Sequence, residues 1–480
     1  MLFNSFQFLL FFPAVVLFYF ATPYRWRWLL LLAASCYFYM CWKPEYIILI
    51  LISTVIDYFS ALRMSATVDS GRRKGYLWLS LLSNLGLLFS FKYFNFFNES
   101  LRALFDRFDL FYGVPAFDLL LPVGISFYTF QTLSYTIDVY RGAIAPERHF
   151  GKFALYVTFF PQLVAGPIER SGNLLPQLQS LRCAFDYERV VDGMRLMAWG
   201  FFKKVVIADR LAVYVNTVYN HPAEYQGLEI ALATVFFAFQ IFCDFSGYSD
   251  IAIGAARVLG VNLMKNFDRP YSSTSISEFW RRWHISLSTW FKDYVYIPLG
   301  GNRVVRWRWY YNLFITFLIS GLWHGANWTF VIWGALHGFY LVFALISRPQ
   351  RDWLIARTGL TRHPALLQTG RLLTTFVLVL IGWLFFRANN LADALTLLHN
   401  LFVFEPLHAL FETITPGTLL LNLALIAVLE LAHSCETDKE FIRTFAHRPA
   451  LVRWPAYVLL TLAILYLGAA TAQQFIYFQF

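Results

Sequence analysis

Apolar stretches recur along the chain from Phe6 to Leu467, separated only by short polar breaks. The runs fall at 6–20, 29–40, 46–62, 77–97, 119–137, 153–164, 194–207, 228–243, 312–322, 328–346, 372–386, 419–431 and 457–467. A helix needs about 20 apolar residues to cross a bilayer, so several runs are too short to cross straight, and the pattern predicts about 11 or 12 crossings plus re-entrant pieces. The first run reads as a span rather than a secretory signal, because no basic region precedes it and no small-residue cleavage site follows. No internal repeat or low-complexity tract interrupts the series.

Composition agrees: 58% of the 480 residues are hydrophobic, 20% aromatic and only 14% charged, with mean hydropathy +0.51. Soluble domains carry roughly a quarter charged residues. The expectation is an all-α polytopic membrane protein, with 1–480 a single membrane-embedded domain and 472–480 an aromatic tail.

The net charge of +10 does not point to nucleic acid, because the basic residues sit in short loops rather than along one stripe. The positive-inside rule accounts for them. Arg25, Arg27, Arg63, Arg72 to Lys74, Arg141, Arg148 and Lys152 mark inner loops, as do Arg348 to Arg371 and Lys439 to Arg453. The segment from Asn389 to Pro416, with Asp393, Glu405 and Glu412, reads as outer. Both termini are then expected outside.

Chemistry is bounded by what is missing. The five cysteines form no CxxC or paired spacing, so neither a zinc site nor a disulfide framework is indicated. No HExxH, Gly-rich phosphate loop or GxSxG elbow occurs, and no metal is expected.

Two histidines stand out. Treated as one helix, Glu278-Phe-Trp-Arg-Arg-Trp-His-Ile-Ser-Leu-Ser-Thr-Trp290 places Trp280, Trp283, Leu287, Trp290 and Phe291 on one face, with His284 among them. A histidine facing protein within a membrane is a candidate for function, and the same pattern equally suits an interfacial helix in which His284 is a packing residue. In Gly321-Leu-Trp-His-Gly-Ala-Asn327, Gly321 and Gly325 permit close backbone approach, Trp323 supplies an aromatic wall and Asn327 could orient the ring or a substrate. An enclosed imidazole is kept neutral, which makes His324 a candidate general base. The alternative is a core histidine bonded to a carbonyl.

Two further segments hold polar residues among apolar ones. One runs from Phe159 to Arg170, with breakers Pro161, Gly166 and Pro167 and polar Gln162 and Glu169. The other runs from Cys243 to Asp250, with Asp244 and Asp250. Irregular backbone at membrane depth is tolerated where it lines a cavity, so both are expected to line a tunnel, or else to be surface loops.

Together, Glu278 to Trp290, Ile297-Pro-Leu-Gly-Gly-Asn-Arg303, Gly321 to Asn327, Phe160 to Glu169 and Asp244 to Asp250 closely resemble the bacterial membrane-bound O-acyltransferases. The nearest likeness is to the membrane components of alginate and peptidoglycan O-acetylation, with teichoic-acid D-alanylation more distant. The resemblance implies a ring of helices around a central tunnel, with His324 as the essential histidine and His284 as a second one. It also implies a bacterial inner membrane and a separate periplasmic transferase with a serine nucleophile, acting on an exported polysaccharide.

The ending Gln474-Phe-Ile-Tyr-Phe-Gln-Phe480 is an aromatic tail suited to an interface. It resembles the C-terminal motif of the small partner peptide in D-alanylation systems, which makes Tyr477 a candidate acyl carrier. With no nucleotide-binding motif to activate acetate, the donor is expected to be a thioester such as acetyl-CoA or an acylated carrier protein. No tightly bound cofactor is expected. The rival readings are a family member that acylates a lipid, protein or teichoic-type acceptor, and a transporter, which would call for paired inverted repeats that are not seen.

Overall fold

The computed structural model describes all residues except 118–119, 165, 405, 436–444, 446–447, 470–474 and 477–480. Among the described residues the chain is 77% helix with no strands. That is the all-helical solution a membrane demands, because each helix satisfies its own backbone hydrogen bonds.

Among the described residues seven helices are long and apolar enough to cross a bilayer: Pro44–Ala66, Ser70–Asp106, Gly227–Val258, Trp328–Ile346, Pro364–Arg387, Pro416–Ser434 and Ala450–Leu467. The run at 6–20 forms the shorter helix Phe6–Ala21. Other apolar runs also fold as helices, but Arg27–Met40 has 14 residues and Phe150–Thr158 has 9, short of a straight crossing. Arg306–His324 has 19 residues but starts with a basic, aromatic turn.

The described chain forms two compact units. One comprises residues 1–199 with 248–264; the other comprises 200–247 with 265–480.

In the first unit a carboxylate is buried with no cation as hydrogen-bond partner among the described residues. Asp57 accepts from Ser80 Oγ at 2.5 Å, from Asn84 Nδ2 at 2.9 and 3.0 Å, and from Ser53 Oγ at 3.4 Å. These donors lie on Pro44–Ala66 and Ser70–Asp106, so the cluster ties the two spans together where an unsatisfied polar group costs several kcal/mol, of order 2–7. The segment from Phe159 to Arg170 is broken, as its prolines foretell: a helix stops at Thr158, one turn spans Phe160–Leu163, and 167–170 has no regular structure. Gln162 Nε2 donates to the Tyr156 carbonyl at 2.9 Å. Glu169, 1% exposed, accepts from Asn173 Nδ2 at 2.7 Å and from the Met264 amide. Both side chains are thus engaged in holding this broken backbone.

The segment from Cys243 to Asp250 differs from expectation. It is not a loop but the interior of the 32-residue helix Gly227–Val258. Its glycine is a contact point: a methyl on Gly247 would sit 2.8 Å from the Gly200 carbonyl oxygen. Asp250 is half-buried on the same helix.

Candidate functional site

The second unit contains the two predicted histidines, and each arises from a local rule of the chain. Arg306–His324 and Trp328–Ile346 form an antiparallel hairpin around Gly325-Ala-Asn327. Gly321 and Gly334 face one another, and a methyl on either would run into the opposing carbonyl oxygen, Phe330 or Phe317. Small residues at a crossing let helices approach closely, as Gly321 foretold. The hairpin places His324 at the last turn of its helix, 2% exposed. Its ring packs edge-on against Trp333 (4.9 Å between centroids), Trp323 (5.0 Å) and Phe386 (5.4 Å).

Asn327 does not orient this ring. Its Oδ1 caps the Trp328–Ile346 helix by accepting from the Thr329 amide at 3.1 Å, and its Nδ2 donates to the Asn389 carbonyl at 2.9 Å. An asparagine just ahead of a helix is most effective as an N-cap, and that role uses the side chain.

The tryptophan-rich segment is not one helix. It splits into Ile276–Arg282 and Ile285–Phe291, with His284 at the junction in the left-handed region, φ 43° and ψ 56°. For a residue with a Cβ this costs roughly 1–2 kcal/mol. Neighbouring backbone offsets the cost: the Asp268 amide donates to the Arg282 carbonyl at 2.9 Å and the Ile285 amide to the Asn266 carbonyl at 2.8 Å. The first helix starts with Ser275 Oγ accepting from the Glu278 amide, while the Glu278 carboxylate accepts from Thr274 and from Arg282. A period of 3.6 carried through residues 278–290 cannot register this break, because the backbone segment it pairs with, 266–268, lies outside that window.

At the junction Asn266 organises the polar groups. Its Oδ1 accepts from the Ser286 amide at 3.2 Å and Ser286 Oγ at 2.8 Å, and His284 Nδ1 lies 3.1 Å away. The Ser286 amide can only donate, which identifies the Asn266 atom as oxygen. His284 Nδ1 must then carry the proton, leaving the lone pair on Nε2. His284 lies outside the long membrane helices, and desolvation by burial pushes its imidazole down to about 3, so the ring is neutral. It packs on Phe245 at 4.5 Å and on Trp323 at 6.2 Å. Trp323 therefore touches both predicted histidines. Trp283, 1% exposed, packs between Phe267 at 5.1 Å and Trp383 at 4.9 Å and belongs to the supporting wall.

Next to Phe245, Asp244 sits in a charged cluster. Lys204, 1% exposed in its side chain, lies 2.7 Å from Asp244 and 2.6 Å from Asp209. Lys204 stands on the π-helical turn Phe202–Ala208, a local widening that displaces side chains from the regular helical positions. The other Asp244 oxygen accepts from the Ile476 amide at 2.7 Å, and Phe475 packs on Phe245 at 5.9 Å. The described part of the tail is thus seated beside the ring that supports His284. Tyr477 lies outside the described residues.

Sequence reasoning missed His337, Asn266, Lys204 and Asp209. His337 had a signal: it follows Gly334 and precedes Gly338 in a membrane-length helix, where an ionisable residue is unusual in itself. It is fully buried, and its Nδ1 accepts from Trp280 Nε1 at 3.2 Å. The others had no such mark, because only the folded chain brings them to Asp244 and His284.

A cavity of about 320 Å³ lies among these elements. Trp280, Ser288, Thr316, Phe317 and Ser320 line it, along with Arg281 and Lys292. Ser320 is one helical turn before His324.

The site thus combines buried histidines packed on tryptophans with a mostly apolar cavity alongside, in a helical membrane protein. Residues 143–386 match the membrane-bound O-acyltransferase family, and the chain belongs to that family. It is 41% identical over 439 residues to a probable alginate O-acetylase of Azotobacter vinelandii, covering 89% of this chain and 84% of the relative. A peptidoglycan O-acetyltransferase of Helicobacter pylori is 36% identical over 400 residues, covering 78% of this chain and 73% of the relative. A teichoic acid D-alanyltransferase of Bacillus subtilis is 29% identical over 238 residues, covering 46% and 58%. The protein is an integral membrane O-acyltransferase.

Proposed function

We propose that the protein moves an acetyl group from a cytoplasmic thioester, acetyl-CoA or an acylated carrier protein, through the inner membrane for O-acetylation of an exported polysaccharide, alginate-like or peptidoglycan. The observation that supports this reading best is the buried His324, which ends its helix one turn beyond a cavity lined in part by Arg281 and Lys292. Those cations suit the phosphates of a pantetheine-bearing donor.

In this reading His324 takes the proton of an attacking hydroxyl. The hydroxyl oxygen bonds to the thioester carbon, the carbon–sulfur bond breaks, and the departing thiolate recovers the proton. Tyr477 is the first acceptor in the proposal. The support for it is the Ile476 amide bound to Asp244, beside the Phe245 that packs on His284. His284 serves as a positioning residue on the donor side. A separate periplasmic transferase with a serine nucleophile then carries the acetyl group to the polymer.

The test compares alkali-labile acetate in extracellular polysaccharide and in peptidoglycan from wild type, a deletion strain and a His324→Ala strain. Loss from one polymer identifies the acceptor. Normal acetate in both polymers in the His324→Ala strain overturns the base assignment, and acylated lipid appearing in its place moves the acceptor to lipid. Tyr477→Phe with full acetylation removes the tyrosine relay and leaves His324 in its role.

A further inference from the structure

Ser320, which lines the cavity, stands one helical turn before His324, about 5–6 Å along the axis, and two indoles link the cavity to that histidine. Trp280 lines the cavity and is 8% exposed. It packs edge-on against Trp333 at 5.5 Å, and Trp333 packs edge-on against His324 at 4.9 Å. Cavity, Trp280, Trp333 and His324 are therefore consecutive.

Trp280 stands on a seven-residue helix that ends at the strained His284 junction, an element with little hold of its own. What fixes its indole is His337, reached across from the Trp328–Ile346 helix. An indole N–H only donates, so His337 Nδ1 is the acceptor and the imidazole is neutral with its proton on Nε2. The ring fits there because residue 382 is glycine: a methyl on Gly382 would lie 2.9 Å from His337 Nε2. This buried histidine has no part in the transfer chemistry described above, and its geometry is directed at one tryptophan.

We propose that Trp280, held in place by His337, is the size filter of the acyl path, letting an acetyl group reach His324 and excluding longer acyl chains. His337 is a positioning residue acting through Trp280. The inference rests on the acyl-transfer reading of His324, and the two can fail separately.

The experiment uses the full chain purified in detergent, with acetyl-, propionyl- and butyryl-pantetheine as probes, and reads thiol release together with ester formed. Wild type is expected to prefer acetyl to butyryl. Each added methylene at a tight apolar site changes rates by about 10–200-fold, so Trp280→Ala is expected to narrow the acetyl-to-butyryl ratio by about tenfold or more. His337→Leu, which cannot accept from the indole, is expected to narrow it in the same direction. His337→Asn, whose Oδ1 can take the place of Nδ1, is expected to restore the wild-type ratio. An unchanged ratio in Trp280→Ala, alongside an inactive His324→Ala, overturns the filter alone. Wild type using butyryl as readily as acetyl also overturns it. Should Trp280→Ala not accumulate, the His337 pair decides, since a ratio equal in Leu and Asn variants rejects the positioning role. Full activity in His324→Ala instead overturns the transfer reading.

Discussion

The two histidines of the site sit in different surroundings. His284 is fixed by polar contacts, with Nδ1 set against Asn266 Oδ1 at a backbone kink. His324 stands at the end of a helix whose glycines draw it against a neighbour, with ring contacts to Trp323, Trp333 and Phe386. Hydrogen bonding orients a ring and commits one nitrogen. Aromatic enclosure orients a ring by packing, and it keeps water from competing for a reacting proton. The contrast is the one the proposed roles rely on, proton transfer at His324 and support at His284.

The sharpest way to break that contrast is to exchange the expected losses. His324→Ala is expected to lower acyl transfer by about 10²–10⁴-fold, the range for losing a general base, while the chain still inserts and accumulates. Thiol release from an acyl-pantetheine in purified protein checks this. A comparable loss in His284→Gln, with His324→Ala mild, would falsify the assignment.

Asp244→Ala probes the tail beside the polar histidine. Removing one partner of a buried ion pair costs about 3–5 kcal/mol, and here it also frees the Ile476 amide. The expected result is a strongly lowered melting temperature in detergent and loss of transfer to the tail. Unchanged protease sensitivity of the C-terminus in this variant would show that the anchor is dispensable.

Gly321→Ala tests enclosure by shape. The added methyl meets the Phe330 carbonyl, and overpacking of this kind costs about 1–3 kcal/mol. Reduced thermal stability together with reduced transfer is expected, because the hairpin that positions His324 must open. Asn266→Ala is the counterpart for His284: it strands Ser286 and the imidazole N–H, each buried loss being worth about 1–3 kcal/mol. Stability should fall, and the acyl-length preference should follow if the kink supports Trp280.

The smallest effect concerns pH. Burial holds His284 down to about 3, so it gains its proton only as pH falls through that value and is neutral across the range of about pH 5 to 8 where an ordinary histidine titrates. His284→Gln is therefore expected to leave the acid limb of the pH–rate profile where it is in wild type. Movement of that limb would mean that His284 carries charge during the reaction.

Much of this was legible in residues alone. The apolar runs announced a helical membrane protein, the glycines around His324 announced close approach, and Pro161, Gly166 and Pro167 announced a broken segment. Each of these is a local signal, decided within a few residues. Three readings did not survive folding: a single helix through His284, an irregular loop at 243–250, and Asn327 as the group that orients the His324 ring. In each case the winning contact came from distant chain or from a nearer backbone amide. Asn266 bends the first, Gly200 receives the second, and Thr329 with Asn389 takes the third.

By itself the sequence determined that the chain lives in a membrane as helices, and which titratable side chains are costly enough there to suggest chemistry, because hydropathy and charge are properties of each residue. Only the tertiary structure decided which of them work together. The approach of Trp323 to His284, the grip of His337 on Trp280 and the binding of Ile476 by Asp244 join residues 39, 57 and 232 positions apart in geometries that no local period encodes. Packing and hydrogen-bond satisfaction act on whatever the fold brings within a few ångströms, and that proximity exists only once the helices have crossed.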